Sequence, residues 1–250
     1  AAARGHRVTV IGSGSQIGGK AWLRSHFPGG EEVSSIYDYQ TVAAMRGGAK
    51  IELGRHVSVA DVVNLEPDVV VLATGSTMIA PSWLPVSVRD EGLVLDLRET
   101  MLGLKDVTFK QPGTAVIFDM DHTEGTYAMA ERLNELFEHV VILTPRHSLA
   151  DDMAVVTRQG VLRRLYSKKI GIQLLAVPVW TDDVENGILT WQHAITHEQY
   201  QIKNVALVTY STPRKRNDEL ALPLKQHGIE VYLIGDCKSP RDMIAATSDG

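Results

Sequence analysis

Short apolar runs alternate with longer amphipathic stretches along almost the whole chain, and this alternation constrains the fold more than any other feature. Valine and isoleucine dominate the runs, which is typical of strands that are buried on both faces of a parallel sheet. The runs occupy residues 8–11, 68–73, 115–118, 140–143, 172–177, 205–209 and 231–234. Between them, residues 125–137 and 156–169 place their apolar side chains on one helical stripe. The alternation therefore predicts an α/β fold with parallel sheets.

The strand–helix–strand pattern occurs twice, once before Leu84 and once after Gly113. Pro81, Pro85 and Pro112, in or next to the stretch between the two copies, indicate a crossing from one domain to another. After Asn186-Gly187 the pattern changes, and residues 188–195 and 199–205 predict an antiparallel hairpin.

Composition excludes several classes of protein. Hydrophobic residues make up 44% of the 250 residues and charged residues 22%, so disorder is excluded. The formal net charge of −5 argues against a nucleic-acid partner. The one cysteine, Cys237, excludes an internal disulfide and an iron–sulfur cluster held by cysteines of this chain. No apolar run approaches the roughly 20 residues of a membrane helix, and we expect a cytoplasmic protein.

Both ends of the sequence resemble interrupted elements. Residues 1–7 predict the last turn of a helix that enters a strand, and residues 240–250 predict the start of a helix without a C-cap. We therefore expect a fragment of a longer polypeptide.

Two motifs suggest phosphate chemistry. Glycines 12, 14 and 18 have the spacing GxGxxxG, one residue longer than a dinucleotide fingerprint, so they form either a turn that lines a phosphate or a plain tight turn. The basic run at 214–216 predicts a loop.

The second motif is an apolar strand that ends in the sequence DxDxT. It resembles haloacid-dehalogenase-type phosphatases, where Asp119 would be the nucleophile and Asp121 the acid or base. Further candidate parts of such a site are Thr144, Lys168 or Lys169, and Asp236 with Asp242 as magnesium ligands. Against this interpretation, a helix follows Thr123 at once and the 114 residues before Ala115 would be unexplained.

Four stretches, taken in order, resemble the C-terminal nucleotide-binding part of the trimethylamine dehydrogenase and 2,4-dienoyl-CoA reductase family, NADH:flavin oxidoreductases related to old yellow enzyme. They are residues 1–19, the Thr74-Gly75 element at 67–76, the DMDH sequence at 119–122 with 130–133 and 140–145, and the return at 207–209, 217–220 and 234–241. The Gly235-Asp236 element, followed by Pro240-Arg241, is the most specific of them.

The resemblance implies two interleaved Rossmann-like domains of the pyridine nucleotide-disulfide oxidoreductase type. Residues 1–97 and 203–250 would form an FAD- or ADP-binding domain without its first strand and GxGxxG loop, and residues 98–202 an inserted NAD(P)-type domain. It also implies a nucleotide site, and the chain would contribute no catalytic residue and no metal ligand. The residues expected to face the cofactor are Gly18, Gly19, Thr74, Gly75, Gly235 and Asp236, since glycines let backbone approach a phosphate and Asp236 can accept from a ribose or ribityl hydroxyl.

Two departures from the family pattern bear on function. Gly12 stands where relatives have the acidic residue that binds the adenosine ribose. Residues 119–125 replace the glycine motif of the reductases, and two carboxylates beside a pyrophosphate would repel it by about 1 kcal/mol or more per close pair. The chain therefore resembles the amine-dehydrogenase branch, which passes electrons to an electron-transferring flavoprotein.

The family implies a flavin-dependent oxidoreductase, in this branch an amine dehydrogenase or demethylase. Its catalytic barrel, FMN and 4Fe–4S cluster would lie in the N-terminal part of the same polypeptide, and the whole would be a homo-oligomer. Two alternatives stay open at this point: the magnesium-dependent phosphatase that uses Asp119 and Asp121, and a scaffold domain that binds no nucleotide.

Overall fold

The computed structural model describes residues 1–241, Ala246 and Ser248. The strands are β1 (Thr9–Ile11), β2 (Lys50–Glu52), β3 (Val69–Leu72), β4 (Ser76–Met78), β5 (Gln111–Asp119), β6 (Phe137–Leu143), β7 (Gly171–Gln173), β8 (Ala176–Val179), β9 (Leu189–His193), β10 (Gln199–Ile202), β11 (Val205–Ser211), β12 (Arg214–Arg216) and β13 (Glu230–Leu233). Most of the predicted helix start at 240–250 lies outside the described residues.

The helices are α1 (Gly19–Ser25), α2 (Ser34–Arg46), α3 (Val59–Val63), α4 (Val86–Asp90), α5 (Leu97–Leu104), α6 (Glu124–Leu136), α7 (Val155–Ser167) and α8 (Ala221–Gln226). Short 3-10 turns lie at Ala2–Arg4, Glu31–Val33, Asp182–Asn186 and Gly235–Cys237. Within the part of the chain that the structure describes, no helix has the length and apolar character to cross a membrane.

The chain folds into two compact units. Unit 1 comprises Ala1–His26, Gly30–Thr77 and the described residues from Arg214 onward, and unit 2 comprises Phe27–Gly29 and Met78–Pro213. The domain boundaries predicted at 97/98 and 202/203 stay a prediction.

Unit 2 is built on a four-stranded parallel sheet in the order β11-β5-β6-β7. Its central strand β5 is apolar throughout its second half, and Val116 and Ile117 are 0% exposed. The helix α6 joins β5 to β6 and buries Ala128, Leu133 and Leu136, as its apolar stripe predicts. Both faces of the sheet are therefore covered, and the mixed α/β class with parallel sheets is confirmed.

An antiparallel sheet, β10-β9-β8, also belongs to unit 2. The predicted hairpin is present in it, with Trp191 opposite Tyr200 and their rings stacked at 4.5 Å. Most predicted strands differ by a few residues at their ends, and two differ in a way that has a clear structural cause. Residues 172–177 form two strands, because Leu175 turns the chain with φ of +52° and β8 leaves the parallel sheet for the antiparallel one. The second hairpin strand ends at Ile202, since Asn204 has φ of +56°.

Unit 1 contains two separate parallel pairs, β1 with β2 and β3 with β13. One face of the second pair packs on α3 and α8, where Leu72, Val62 and Leu224 are buried. The first pair follows the 3-10 turn at Ala2–Arg4, which ends at Gly5 with φ of +90°. This agrees with the predicted helical turn before the first strand.

We expect the substitution Leu133→Ala to lower the free energy of unfolding by about 3 kcal/mol, because it leaves a cavity under a side chain with no exposed surface. Urea unfolding followed by circular dichroism measures the loss. The control is Val156→Ala in α7, whose side chain is 81% exposed and whose truncation should cost less than about 0.5 kcal/mol. Equal losses would contradict this account of the core.

Candidate nucleotide site

Asp236 lies in the 3-10 turn that follows β13, at the carboxyl end of the unit 1 strands. Its Oδ2 accepts hydrogen bonds from Ser76 Oγ at 2.8 Å and from Arg214 Nη1 at 2.9 Å, and it forms an ion pair with Lys20 Nζ. Its Oδ1 accepts from the backbone N–H of Arg241 at 3.2 Å. We call Asp236, Lys20, Ser76 and Arg214 the Asp236 cluster.

Asp236 is held ionised within the cluster. The side chains of Asp236 and Arg214 are only 12% and 11% exposed. Burial by itself would raise the pKa of Asp236, but the hydrogen bonds from Lys20 and Ser76 and the charge of Lys20 outweigh it and lower the pKa to about 2. The cluster therefore brings two cationic side chains to the strand ends, and cationic side chains attract a phosphate.

The turn after β3 is tied to the loop before α8 by Asn217. The hydroxyl of Thr74 donates to the C=O of Asn217, and the Asn217 Nδ2 donates to the C=O of Thr74 at 3.2 Å. The backbone N–H of Asn217 donates to the C=O of Gly75 at 3.0 Å. Thr74 therefore uses its hydroxyl hydrogen within the protein, and its part at this site is to hold the turn.

The predicted glycines divide into two kinds. A Cβ on Gly18, whose φ is +106°, would lie 2.9 Å from the ring of Tyr37, so packing within unit 1 already requires glycine there. Among the described residues, a Cβ on Gly19 or Gly75 would meet no atom within 4 Å, and both residues have positive φ. These two turns leave open space beside exposed backbone, which is the arrangement that lets a phosphate approach.

Two further glycines of unit 1, Gly235 and Gly12, bear on the candidate site. Gly235 has φ of +58° and opens the turn that carries Asp236. Gly12 donates its N–H to the C=O of Glu52 at 2.9 Å and so continues the pairing of β1 with β2. It offers no carboxylate for a ribose.

A buried polar network lies at the carboxyl end of β5 in unit 2. Asp119 is 0% exposed, and its Oδ1 accepts from the backbone N–H groups of Asp121 at 3.1 Å and His122 at 3.0 Å. Within the described residues, no hydrogen-bond partner lies at Oδ2. Burial raises the pKa of Asp119 to about 7, although the backbone N–H of His122 and the nearby hydroxyl of Tyr127 lower it.

His122 links this network to the neighbouring strand end. Its Nδ1 accepts from the backbone N–H of Ala150 at 3.1 Å, and its Nε2 lies 3.1 Å from Thr144 Oγ1. The hydroxyl of Tyr127 also accepts from Ala150 and lies 3.3 Å from Nδ1. Burial, followed by the charge of Arg146, lowers the pKa of His122 to about 4, so the ring is neutral at pH 7.

These contacts change one expectation from the sequence. Two ionised carboxylates were expected at 119–125, whereas Asp119 titrates near neutral pH and is enclosed by the protein. His122 occupies the turn with φ of +51°, a conformation that costs a non-glycine residue about 1 kcal/mol. Its side-chain bonds to the segments at Thr144 and Ala150 offset that cost. The turn before α6 is therefore filled by its own side chains.

The predicted phosphatase site is not assembled within unit 2. Asp119 has no exposed surface for an attack on phosphorus, and Lys168 Nζ lies 4.0 Å from Glu131 and 3.9 Å from Glu135. Asp236 belongs to unit 1, and Asp242 lies outside the described residues. No group of three His, Cys, Asp or Glu side chains in the described part of the chain could hold a metal ion.

Sequence reasoning missed several side chains of both sites. The sequence contains a feature that could have indicated Lys20, because this residue follows Gly18-Gly19 at the start of a helix. Ser76 follows the Thr74-Gly75 element directly. Arg214 stands in the basic run that predicted a loop, but it lies in β12 and pairs with Asp236. Contacts between residues 20, 76, 214 and 236 depend on tertiary structure that no local pattern contains.

The comparisons with known proteins find similarity to several oxidoreductases. No protein-family model matches it. It is 24% identical over 252 residues to an NADH oxidase of Thermoanaerobacter brockii, covering all of this chain and 37% of that protein. It is 25% identical over 283 residues to an N,N-dimethylglycine/sarcosine dehydrogenase of Chromohalobacter salexigens, covering all of this chain and 40% of that protein. The chain thus spans about two fifths of the curated relatives it matches.

Solved structures agree on the fold. A 2-naphthoyl-CoA reductase in complex with 2-naphthoyl-CoA superposes with a TM-score of 0.83 at 21% identity, over 100% of this chain and 36% of the other. Histamine dehydrogenase from Rhizobium sp. 4-9 superposes with a TM-score of 0.79 at 19% identity, over 98% of this chain and 39% of the other. A thioredoxin reductase of T. acidophilum superposes with a TM-score of 0.69 at 15% identity, over 99% of this chain and 88% of the other. The predicted resemblance to the FAD- and NAD-type Rossmann domains of this oxidoreductase family is confirmed.

The pKa of Asp119 predicts a pH dependence of stability. The folded carboxyl binds its proton more tightly than the unfolded one, whose pKa is about 3.9. This group therefore lowers the free energy of unfolding as the pH rises from about 4 to about 7. Asp119→Asn keeps the shape of the side chain but removes its charge. In this variant, the free energy of unfolding measured in urea should no longer fall between about pH 4 and pH 7 on account of this group. The control Asp90→Asn, at an exposed carboxylate, should show the same pH dependence as the natural protein. An unchanged pH dependence in Asp119→Asn would contradict the raised pKa of Asp119.

Proposed function

We propose that this chain is the nucleotide-binding portion of a flavin-dependent oxidoreductase and that it binds FAD or ADP at the carboxyl ends of the unit 1 strands. The Asp236 cluster is the observation that carries the proposal. It brings the cationic side chains of Lys20 and Arg214 next to two glycine turns, at Gly19 and Gly75, where an added Cβ would meet no atom of the described residues within 4 Å. The residues present fit an anionic nucleotide.

Each residue of this site has a distinct task under the proposal. Lys20 and Arg214 would bind a phosphate, with Gly18, Gly19, Gly75 and Gly235 shaping the backbone around it. Asp236 keeps one acceptor position on Oδ1, which can take a ribose or ribityl hydroxyl, because a carboxylate accepts about four hydrogen bonds. Thr74 would hold its turn. A bound FAD would supply electron transfer by its flavin, whereas ADP would serve only as a structural ligand.

The organisation of the whole protein is part of the proposal. Residues 1–97 and 203–250 would be the FAD- or ADP-type domain and 98–202 the inserted NAD(P)-type domain. A catalytic barrel with FMN and a 4Fe–4S cluster would precede them in the same polypeptide, which is consistent with the coverage of about two fifths of the relatives. We further propose a cytoplasmic homo-oligomer.

We propose the amine-dehydrogenase branch, with an electron-transferring flavoprotein as the acceptor. The names of two matched proteins, a dimethylglycine/sarcosine dehydrogenase and a histamine dehydrogenase, support it. The second support is unit 2, where Asp119 and His122 fill the turn before α6 and Asp121 adds a carboxylate. The residues present do not fit a dinucleotide pyrophosphate at that turn, which argues against NAD(P)H as the electron partner.

The substitution Lys20→Met, made in the full-length polypeptide, tests the site. Loss of a charge-assisted contact to phosphate should weaken ADP binding about tenfold, measured by isothermal titration calorimetry. Lys50→Met is the matched control, since Lys50 is 71% exposed and pairs only with Glu52 among the described residues. We expect less than about a twofold change there, because an exposed pair contributes little. Equal affinity of Lys20→Met and the natural protein would contradict the proposed site.

A further inference from the structure

The buried polar network of unit 2 has no task under the proposed function. Its side chains Asp119, His122 and Tyr127 are 0%, 2% and 0% exposed. They lie at the end of β5, in the turn that follows it and near the start of α6. Because water does not reach these groups, the hydrogens that they share decide how the network is arranged.

The backbone N–H of Ala150 fixes the tautomer of His122. It lies 3.1 Å from Nδ1, and because a backbone N–H can only donate, Nδ1 must present its lone pair. The hydrogen of the neutral ring is therefore on Nε2, which lies 3.1 Å from Thr144 Oγ1 and donates to it. Nδ1 has a single lone pair, so it accepts one full hydrogen bond at a time.

Two donors compete for that lone pair. One is the N–H of Ala150, and the other is the hydroxyl of Tyr127, whose oxygen lies 3.3 Å from Nδ1. The N–H of Ala150 also lies 3.0 Å from the Tyr127 oxygen, so it can donate to either residue. Burial raises the pKa of Tyr127 above its ordinary value, and the hydroxyl therefore keeps its hydrogen throughout the neutral range.

The carboxyl of Asp119 brings a third group to the same place. Its Oδ1 accepts from two backbone N–H groups, whereas Oδ2 has no hydrogen-bond partner within the part of the chain that the structure describes. The hydroxyl of Tyr127 is near enough to this carboxyl to lower its pKa. A buried polar atom without a partner is unfavourable, so a small side-chain movement that joins Oδ2 to the hydroxyl stabilises the network.

With the carboxyl protonated, the donors and acceptors match in number. The donors are the O–H of Asp119, the O–H of Tyr127 and the N–H of Ala150. The acceptors are the two lone pairs of the Tyr127 oxygen and the single lone pair of His122 Nδ1. Asp119 and Ala150 then donate to Tyr127, and Tyr127 donates to His122, so each donor has an acceptor.

With the carboxyl ionised, a second arrangement is complete. Oδ2 can then only accept, and the hydroxyl of Tyr127 turns to it because a hydrogen bond to a charged acceptor is stronger than one to a neutral ring. The lone pair of His122 Nδ1 receives the N–H of Ala150 instead. Both remaining donors again have an acceptor, and the network therefore has two self-consistent states.

We propose that Asp119 is a pH sensor whose proton decides which residue accepts the hydroxyl hydrogen of Tyr127: His122 when the carboxyl is protonated, and Asp119 when it is ionised. The N–H of Ala150 changes acceptor at the same time, from Tyr127 to His122. Ala150 is 0% exposed and has φ of +57°, so the segment between β6 and α7 is held by different bonds in the two states. The sensor lies within unit 2 and does not require a bound nucleotide.

Charged side chains on two segments face the sensor. Burial and these charges together give His122 a pKa of about 4, so its ring stays neutral while Asp119 titrates near pH 7. The neighbouring strand β11 and helix α6 contribute the uncharged hydroxyls of Ser211 and Thr126. The charged groups are Asp121 in the turn after β5, and Arg146, Asp151 and Asp152 between β6 and α7, where Arg146 pairs with Asp152, and Asp151 with Arg158 and His147.

Nitrogen-15 NMR of the full-length polypeptide with labelled histidine tests the proposal between about pH 5 and about pH 9. The Nδ1 signal of His122, identified by its absence in His122→Gln, should shift with a midpoint near pH 7 while Nε2 keeps its hydrogen. His147→Gln is introduced in every sample, because histidine as a class titrates in this range and His147 lies 3.5 Å from Asp151. An Nδ1 signal that does not move near pH 7 would overturn the proposal.

Tyr127→Phe removes the hydroxyl and keeps the buried ring. The shift of His122 near pH 7 should disappear, and the midpoint of Asp119, followed by carbon-13 NMR of labelled aspartate, should rise by about one pH unit because the ionised carboxyl loses its donor. Tyr200→Phe is the matched control, since this exposed hydroxyl donates to Glu198, and it should change neither signal. An unchanged midpoint in Tyr127→Phe would show that another group serves Oδ2 and would overturn the proposal.

Asp119→Asn is a second test that retains the hydroxyl of Tyr127. Its amide nitrogen takes the place of Oδ2, because the other position must still accept from two backbone N–H groups, and the variant therefore imitates the protonated carboxyl. His122 should give at every pH the signal that the natural protein gives at about pH 5. A signal that still changes near pH 7 would overturn the proposal, since no carboxyl remains at this position.

Discussion

The pairing of parallel strands in a fully covered sheet is the constraint on which the other features of this protein depend. A strand buried on both faces cannot carry polar side chains along its length, so they collect where the strand ends. Asp119 follows the apolar half of β5, and Asp236 follows β13 by three residues. Because parallel strands share a direction, these ends bring together residues that are far apart in the sequence.

The two units use a carboxylate at a strand end in opposite ways. Asp236 accepts from Lys20 and Arg214 and stays ionised, beside the glycine turns at Gly19 and Gly75. Asp119 is enclosed with a neutral His122, and burial raises its pKa to about 7. The first arrangement has cationic side chains that suit an anion, whereas the second is filled by the protein's own side chains. This difference is the physical basis for our proposal that a nucleotide binds in unit 1.

Much of the fold was predictable because it depends on local patterns. Val and Ile runs predicted the strands, and the stripe at 128–136 predicted α6. The break at Leu175 was not predictable, since an apolar run does not show which of two sheets each half joins. The glycines and Asp236 were found through a family resemblance, but Lys20 and Arg214 become partners of Asp236 only after the strands assemble. The pKa of Asp119 depends on complete burial, which the DxDxT sequence does not contain.

The central claim is that unit 1 holds an adenine nucleotide and that unit 2 does not. Native mass spectrometry of the full-length polypeptide, with NADH added, tests it most directly. The account predicts one ADP or FAD retained by each chain and no mass increase from NADH. A polypeptide that retains no adenine nucleotide, or that gains one NADH per chain, would contradict it.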